Sequence, residues 1–95
     1  MTSYRFAVSV MPKAGILDPQ GRAVEGSLGQ LGLRGVRDVR VGRHVELSVE
    51  ASSEAAARAV VERLSGALLA NPLIEAWSVE MLDPGVAPVA VAAAE

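Results

Sequence analysis

Four sets of residues in this 95-residue chain have types or spacings that chemistry could use. His44 is the single imidazole. A general base or a metal site needs partners around such a ring. No carboxylate pattern surrounds His44, so it reads as an exposed strand histidine. Asp18 offers a carboxylate, but it stands immediately before Pro19. There its oxygens can accept from the free N–H groups of a first helical turn, and Pro19 fits the first helical position, so Asp18 is a helix cap before it is an acid or a base. Gly26, Gly29, Gly32 and Gly35 recur every third residue. A phosphate cradle sets its glycines after a strand and before a helix. These fall inside and after a helix, which points to close packing and a helix stop. Arg34, Arg37, Arg40 and Arg43 also recur at three, a spacing that scatters side chains over both faces of a strand. Arg37 and Arg43 share the odd face with valines, either as aliphatic stems with their guanidinium groups in solvent or as pairs to acidic groups of a partner subunit. No Ser/His/Asp set, carboxylate pair or cysteine pair can be assembled, and we expect no catalytic, cofactor-binding or metal-binding residue in this chain.

The elements that must position these residues alternate strand and helix. Tyr4, Phe6, Val8 and Val10 are all even-numbered, the period of a half-buried strand stopped by Pro12. From Pro19 to Leu31 the period changes to that of a helix, with Val24, Leu28 and Leu31 on one face and Gly32 where a left-handed cap is wanted. Gly21, Gly26 and Gly29 weaken this helix by roughly 1 kcal/mol each relative to alanine. Ser52 or Ser53 caps a second helix, with Val60, Val61, Leu64 and Leu68 as its apolar stripe and Glu54–Arg58 and Arg58–Glu62 as pairs on its wet side. Asn71-Pro72 ends it. Leu73 to Leu82 reads as the last strand, with Trp77, Val79 and Met81 on one face. The domain is expected to span 1–82, with 83–95 as a flexible, Ala/Val/Pro-rich tail.

The segment Val36–Glu50 admits two readings. Val39, Val41, Val45, Leu47 and Val49 are odd-numbered, so the alternation passes through Gly42 without a slip. A two-residue turn at Gly42-Arg43 would mix valines and charges on each face and is disfavoured. A three-residue loop at 42–44 keeps the parity, and so does one unbroken strand. That strand would reach about 50 Å at ~3.3 Å per residue, far more than a compact chain with a radius of gyration of ~12 Å can bury. Half of it would lie in a partner's sheet, a segment swap with Gly42 at the opened hinge. We favour the swap.

Composition narrows the function classes. The length fits one domain, and half the residues are apolar but only three are aromatic, so the core is built from small pieces and self-association is expected. The absence of cysteine excludes disulfides and thiolate metal sites. A net charge of −2 argues against nucleic acid as a partner. With no apolar leader and no stretch near the length of a membrane span, the expectation is a cytoplasmic protein without membrane contact.

Three motifs in order carry a resemblance. Gly15-Ile16-Leu17-Asp18-Pro19-Gln20-Gly21 is followed by Val39-Arg40-Val41-Gly42-Arg43 and then by Leu69-Ala70-Asn71-Pro72-Leu73-Ile74-Glu75. From about Arg5 to Leu82 the chain resembles the PurS family, the small subunit of phosphoribosylformylglycinamidine synthase. The resemblance implies intertwined dimers of ferredoxin-like halves. It also implies an enzyme split among a large ATP-dependent synthetase subunit, a glutaminase subunit and a dimer of this small chain. In that enzyme ammonia from glutamine converts formylglycinamide ribonucleotide to its amidine. ATP and Mg would sit on the large subunit, and the small chain would serve assembly.

The expected fold is therefore α+β, in the order β-α-β-α-β with a long bent central strand and two helices on one face of an antiparallel sheet. The expected partners are a second copy, or a dimer of dimers, and the two larger subunits. Asp18, Gln20, Arg40, Gly42 and Arg43 are the candidate subunit-interface residues. A competing reading is a free-standing, ACT-like small-molecule sensor whose ligand site is the glycine-bearing loop before the first helix. Capture of two larger subunits, as against binding of a metabolite alone, discriminates the two.

Overall fold

A computed structural model describes residues 1–82; the expected tail, 83–95, lies outside the described residues. Three strands form one antiparallel sheet in the order β2-β1-β3, with β1 at Thr2–Pro12, β2 at Arg43–Ala51 and β3 at Glu75–Met81. Helix α1, Pro19–Ser27, joins β1 to β2, and α2, Glu54–Leu64, joins β2 to β3. This is the expected α+β class and element order. The even-numbered face of β1 is the core: Phe6, Val8 and Val10 are fully buried, against Val45, Leu47 and Val49 of β2 and Trp77, Val79 and Met81 of β3. The register places Phe6 opposite both Leu47 and Met81, so the alternating pattern of each strand is satisfied on one shared face.

Helix α2 covers that face. Ser53 caps it, its hydroxyl accepting from the Ala56 N–H at 3.1 Å. The buried stripe differs from the expected one. Ala57, Val61 and Ser65 face the sheet, while Val60 is 50 % and Leu68 74 % exposed. For Leu68 the reason is a π turn at Ser65–Leu69, closed by Ala70 N–H donating to Ser65 O, which shifts the following side chains around the axis. It brings Leu69 and Ala70 to the core in place of Leu68. The buried Ser65 hydroxyl donates to Val61 O at 2.8 Å and so leaves no unpaired polar atom. The expected Glu54–Arg58–Glu62 pairs do not form. Arg58 lies over the Phe6 ring, 5.6 Å from its centroid, and donates to Val79 O at 3.4 Å, while Glu62 accepts from Trp77 Nε1 at 3.0 Å. Tertiary partners outcompete pairs worth only a few tenths of a kcal/mol. β3 begins at Glu75, two residues later than expected, because Asn71 O holds the N–H groups of Ile74 and Glu75 in a turn.

Helix α1 behaves differently. Its cap is as expected: Asp18 Oδ1 accepts from Gly21 N–H at 3.0 Å, with Pro19 in the first position. A 3₁₀ turn at Leu28–Leu31 follows and ends at Gly32, whose φ of 74° is left-handed. The expected buried face is not formed within the chain, since Val24 is 44 % and Leu31 70 % exposed. α1 makes no packing on the sheet comparable to that of α2.

The central segment settles between its two readings. No hairpin occurs at 42–44, because Arg43 and His44 already lie in β2, opposite Val10 and Ser9. Nor is the strand unbroken from Val36: Asp38 has φ of 59°, which no strand residue adopts, and the sheet ladder begins only at Arg43.

Candidate functional site

Asp18 does two jobs. One oxygen caps α1; the other, Oδ2, accepts from Val41 N–H at 2.9 Å. Seven residues on, about two turns further along α1, Glu25 Oε2 accepts from Val39 N–H at 2.9 Å. The N–H groups of Gly21 and Val41 hold the Asp18 carboxyl below the usual carboxylate range, and the Arg40 charge adds to the effect. Gly21 makes the docking possible. A Cβ there would overlap Val39 O and come within 2.6 Å of Asp18 Oδ2. The residue read from sequence as a weak point of the helix is instead a point of close backbone approach. Its signal was present as the spacing Asp-x-x-Gly, three residues apart across one helical turn.

Gly42 is the second close approach. A Cβ there would overlap the Val10 carbonyl oxygen and Met11 Sδ. Its backbone needs no positive φ; what it needs is the absence of a side chain where β1 passes. The next residue, Arg43, forks onto Glu75, with Nη1 at 3.0 Å from Oε2 and Nη2 at 2.9 Å from Oε1, and Nη2 also donates to Leu69 O at 2.7 Å. Glu75 accepts in addition from Asn71 N–H at 2.7 Å. Arg43 first, then that N–H, pull the Glu75 carboxyl below its usual range, and Glu75 raises the Arg43 guanidinium in turn. Arg43 thus pairs with an acid of its own chain and ties the start of β2 to the loop before β3, with its side chain still half exposed.

The candidate residues converge. Asp18, Gln20, Gly42 and Arg43 line one groove of about 220 Å³ between the start of α1 and the start of β2, together with Leu17 and Glu75. Arg40 lines a broader neighbouring depression of about 680 Å³ with Lys13, Arg22, Glu25 and Asp38, and Asp18 belongs to both. His44 stands apart on the open face of the sheet, 2.8 Å from Glu46, which also meets Arg5 at 3.5 Å. Among the described residues no three His, Cys, Asp or Glu side chains are placed to hold a metal ion. The site is a meeting of helix start, strand start and loop, held by charge-assisted hydrogen bonds, and what it offers is a shaped surface.

Comparison with known proteins gives this surface a context. The family model "PurS: Phosphoribosylformylglycinamidine (FGAM) synthase" matches residues 5–83. The chain is 40 % identical over 88 residues to phosphoribosylformylglycinamidine synthase subunit PurS of Synechocystis sp., covering 90 % of this chain and 88 % of that one. It is 43 % identical over 75 residues to the same subunit of Mycobacterium leprae, covering 79 % and 91 %. Among solved structures, a chain in the structure of PurLQS from Thermotoga maritima superposes with a TM-score of 0.79 at 30 % identity, covering 86 % of this chain and all of that one. Between the subunit and the sensor readings, these matches favour the subunit.

Proposed function

The chain belongs to the PurS family, and from that membership we propose that it is the small assembly subunit of phosphoribosylformylglycinamidine synthase in purine biosynthesis. The observation that carries this is the family match across residues 5–83, joined to a site built of structural hydrogen bonds. Its partners are the large synthetase subunit, which would hold ATP and Mg, and the glutaminase subunit; the Thermotoga maritima relative, in PurLQS, supports that assignment. Among the described residues no helix is long and apolar enough to cross a membrane, in keeping with a cytoplasmic place for the complex. Asp18, Gln20, Arg40, Gly42 and Arg43 form the surface presented around the start of α1, with Gly42 and Arg43 shaping it and Gln20 and Arg40 exposed upon it.

A second copy completes the fold in this reading. Val24 of α1, with Leu17 just before the helix and Leu31 at the end of the 3₁₀ turn after it, is exposed and has no sheet of its own to cover. β2 is an edge strand, and the exposed side chains from just before it to its end run from a basic end, Arg40 and His44, to an acidic end, Glu46 and Glu50. Antiparallel pairing of this edge with itself about a two-fold axis sets the basic end against the acidic end. It also carries each α1 over the other chain's sheet, giving two ferredoxin-like halves, each with two helices.

The deciding experiment is reconstitution with this chain omitted. Glutamine-dependent amidine synthesis should collapse, and high ammonia should restore part of it if the missing step is delivery. Full activity of the two larger subunits on glutamine alone would refute the assembly role.

A further inference from the structure

The hydrogen bonding of β1 divides by parity. Lys13 N–H donates to Ile74 O and Leu82 N–H to Arg5 O, so the odd residues of β1 turn to β3 and its even residues to β2. With Val10 opposite Arg43, the odd residues of β2 turn inward and its even residues turn to the free edge. β1 stops at Pro12, which has no N–H to give, yet the inward N–H groups of Val41 and Val39 are both satisfied, by Asp18 and Glu25 of α1. The same parity therefore runs from Val39 to Ala51, although only Arg43–Ala51 is laddered to β1.

We propose that Asp18 and Glu25 are positioning residues that stand in for the missing length of β1, holding Val39–Gly42 in line with β2 so that its outer edge can pair with a second copy. The occupant rests on the dimer described above; the clamp rests on the two carboxylate–amide bonds and on Gly21, whose missing Cβ lets Val39 O lie against the helix. With the inner edge filled by side chains, a partner strand has one direction of approach, along the N–H and C=O groups of the even residues. Asp38, with its left-handed φ, marks the end of the aligned run.

The test uses the full chain and two classes of variant. Gln at 25 keeps an oxygen acceptor within reach of the Val39 N–H; Asn at 18 keeps one oxygen where Asp18 uses two, so it can serve Gly21 or Val41 but not both; Ala at either position removes the acceptor. In hydrogen exchange of the wild type, the Val39 and Val41 amides should be protected together with those of Val45 and Leu47. Glu25→Ala should release Val39, and Asp18→Ala should release Val41, each by tenfold or more, with Val45 and Leu47 unchanged. Glu25→Gln should keep most of the protection at Val39, and Asp18→Asn should lose part of it at Val41, because one amide oxygen replaces two carboxylate oxygens. Sedimentation over a range of concentrations should show the doubly Ala-substituted chain dimerising at least tenfold more weakly, with Glu25→Gln dimerising as the wild type does. Wild-type Val39 and Val41 amides that exchange freely would overturn the clamp, as would Ala variants that dimerise as tightly as the wild type. A wild type that sediments as a monomer while both amides stay protected would leave the clamp standing and overturn the second copy as its occupant.

Discussion

Adding one methyl group at Gly42 should be among the most damaging small changes in the chain. Its Cβ would overlap the Val10 carbonyl oxygen and lie 3.2 Å from the Val10 carbonyl carbon. That carbonyl belongs to the central strand and is held in the ladder opposite Arg43, so it cannot rotate away as a surface side chain would. The start of β2 has to move instead. Such overpacking costs about 1–3 kcal/mol. Loss of the last ladder pair removes two backbone hydrogen bonds at about 1 kcal/mol each, a related estimate of the same displacement. Taking about 2.5 kcal/mol, and 4–8 °C per kcal/mol for a domain of this size, Gly42→Ala should lower Tm by about 10–20 °C, and Gly42→Val by more. Gly26 is the control. Nothing lies within 4 Å of a Cβ there, so Gly26→Ala should gain nearly 1 kcal/mol of helix propensity. The assay is thermal unfolding by circular dichroism at matched protein concentration, because dimerisation makes Tm concentration-dependent. A Gly42→Ala protein melting within about 2 °C of the wild type, well inside the shift expected for 1 kcal/mol, would refute the close-approach argument.

Two further outcomes follow from the packing and the charges. Val61 is fully buried and Val60 half exposed; Val61→Ala should cost about 2 kcal/mol from two lost methyl groups and the space they leave, and Val60→Ala within about 0.5 kcal/mol of nothing. Urea unfolding distinguishes the two, and equal costs would place the stripe back where the sequence periodicity put it. Asp18 and Glu75 both titrate below the usual carboxylate range in the folded chain. Their contribution to stability is therefore complete at neutral pH, declines once pH falls below the ordinary carboxylate pKa of about 4, and is gone below the depressed native values. Asp18→Asn and Glu75→Gln should each flatten the acid limb of a stability–pH profile, and an unchanged limb in both would show that these pairs do not hold in solution.

What the sequence determined by itself were the strand alternation, the helix caps and the helix stops. The alternation of Tyr4 to Val10, the cap at Asp18-Pro19, the left-handed stop at Gly32, the cap at Ser53 and the break at Asn71-Pro72 all appear in the fold, because each depends on backbone sterics and on groups a few residues apart. The parity of Val39 to Val49 was equally legible, since a period of two cannot slip without inverting both faces. The family motifs, too, were readable in order. Tertiary structure alone decided which of two adjacent valines of α2 faces the sheet, because only docking fixes the rotation of the helix, and it set Leu69 in place of Leu68 through a π turn that periodicity does not foresee. It alone sent Arg58 to Phe6 and Val79, and Arg43 to Glu75 of its own chain, since long side chains choose partners by reach through space. It alone gave Gly21 and Gly42 their meaning. A glycine in sequence records only a missing side chain, and whether that absence weakens a helix or admits a neighbouring carbonyl depends on what the fold brings alongside.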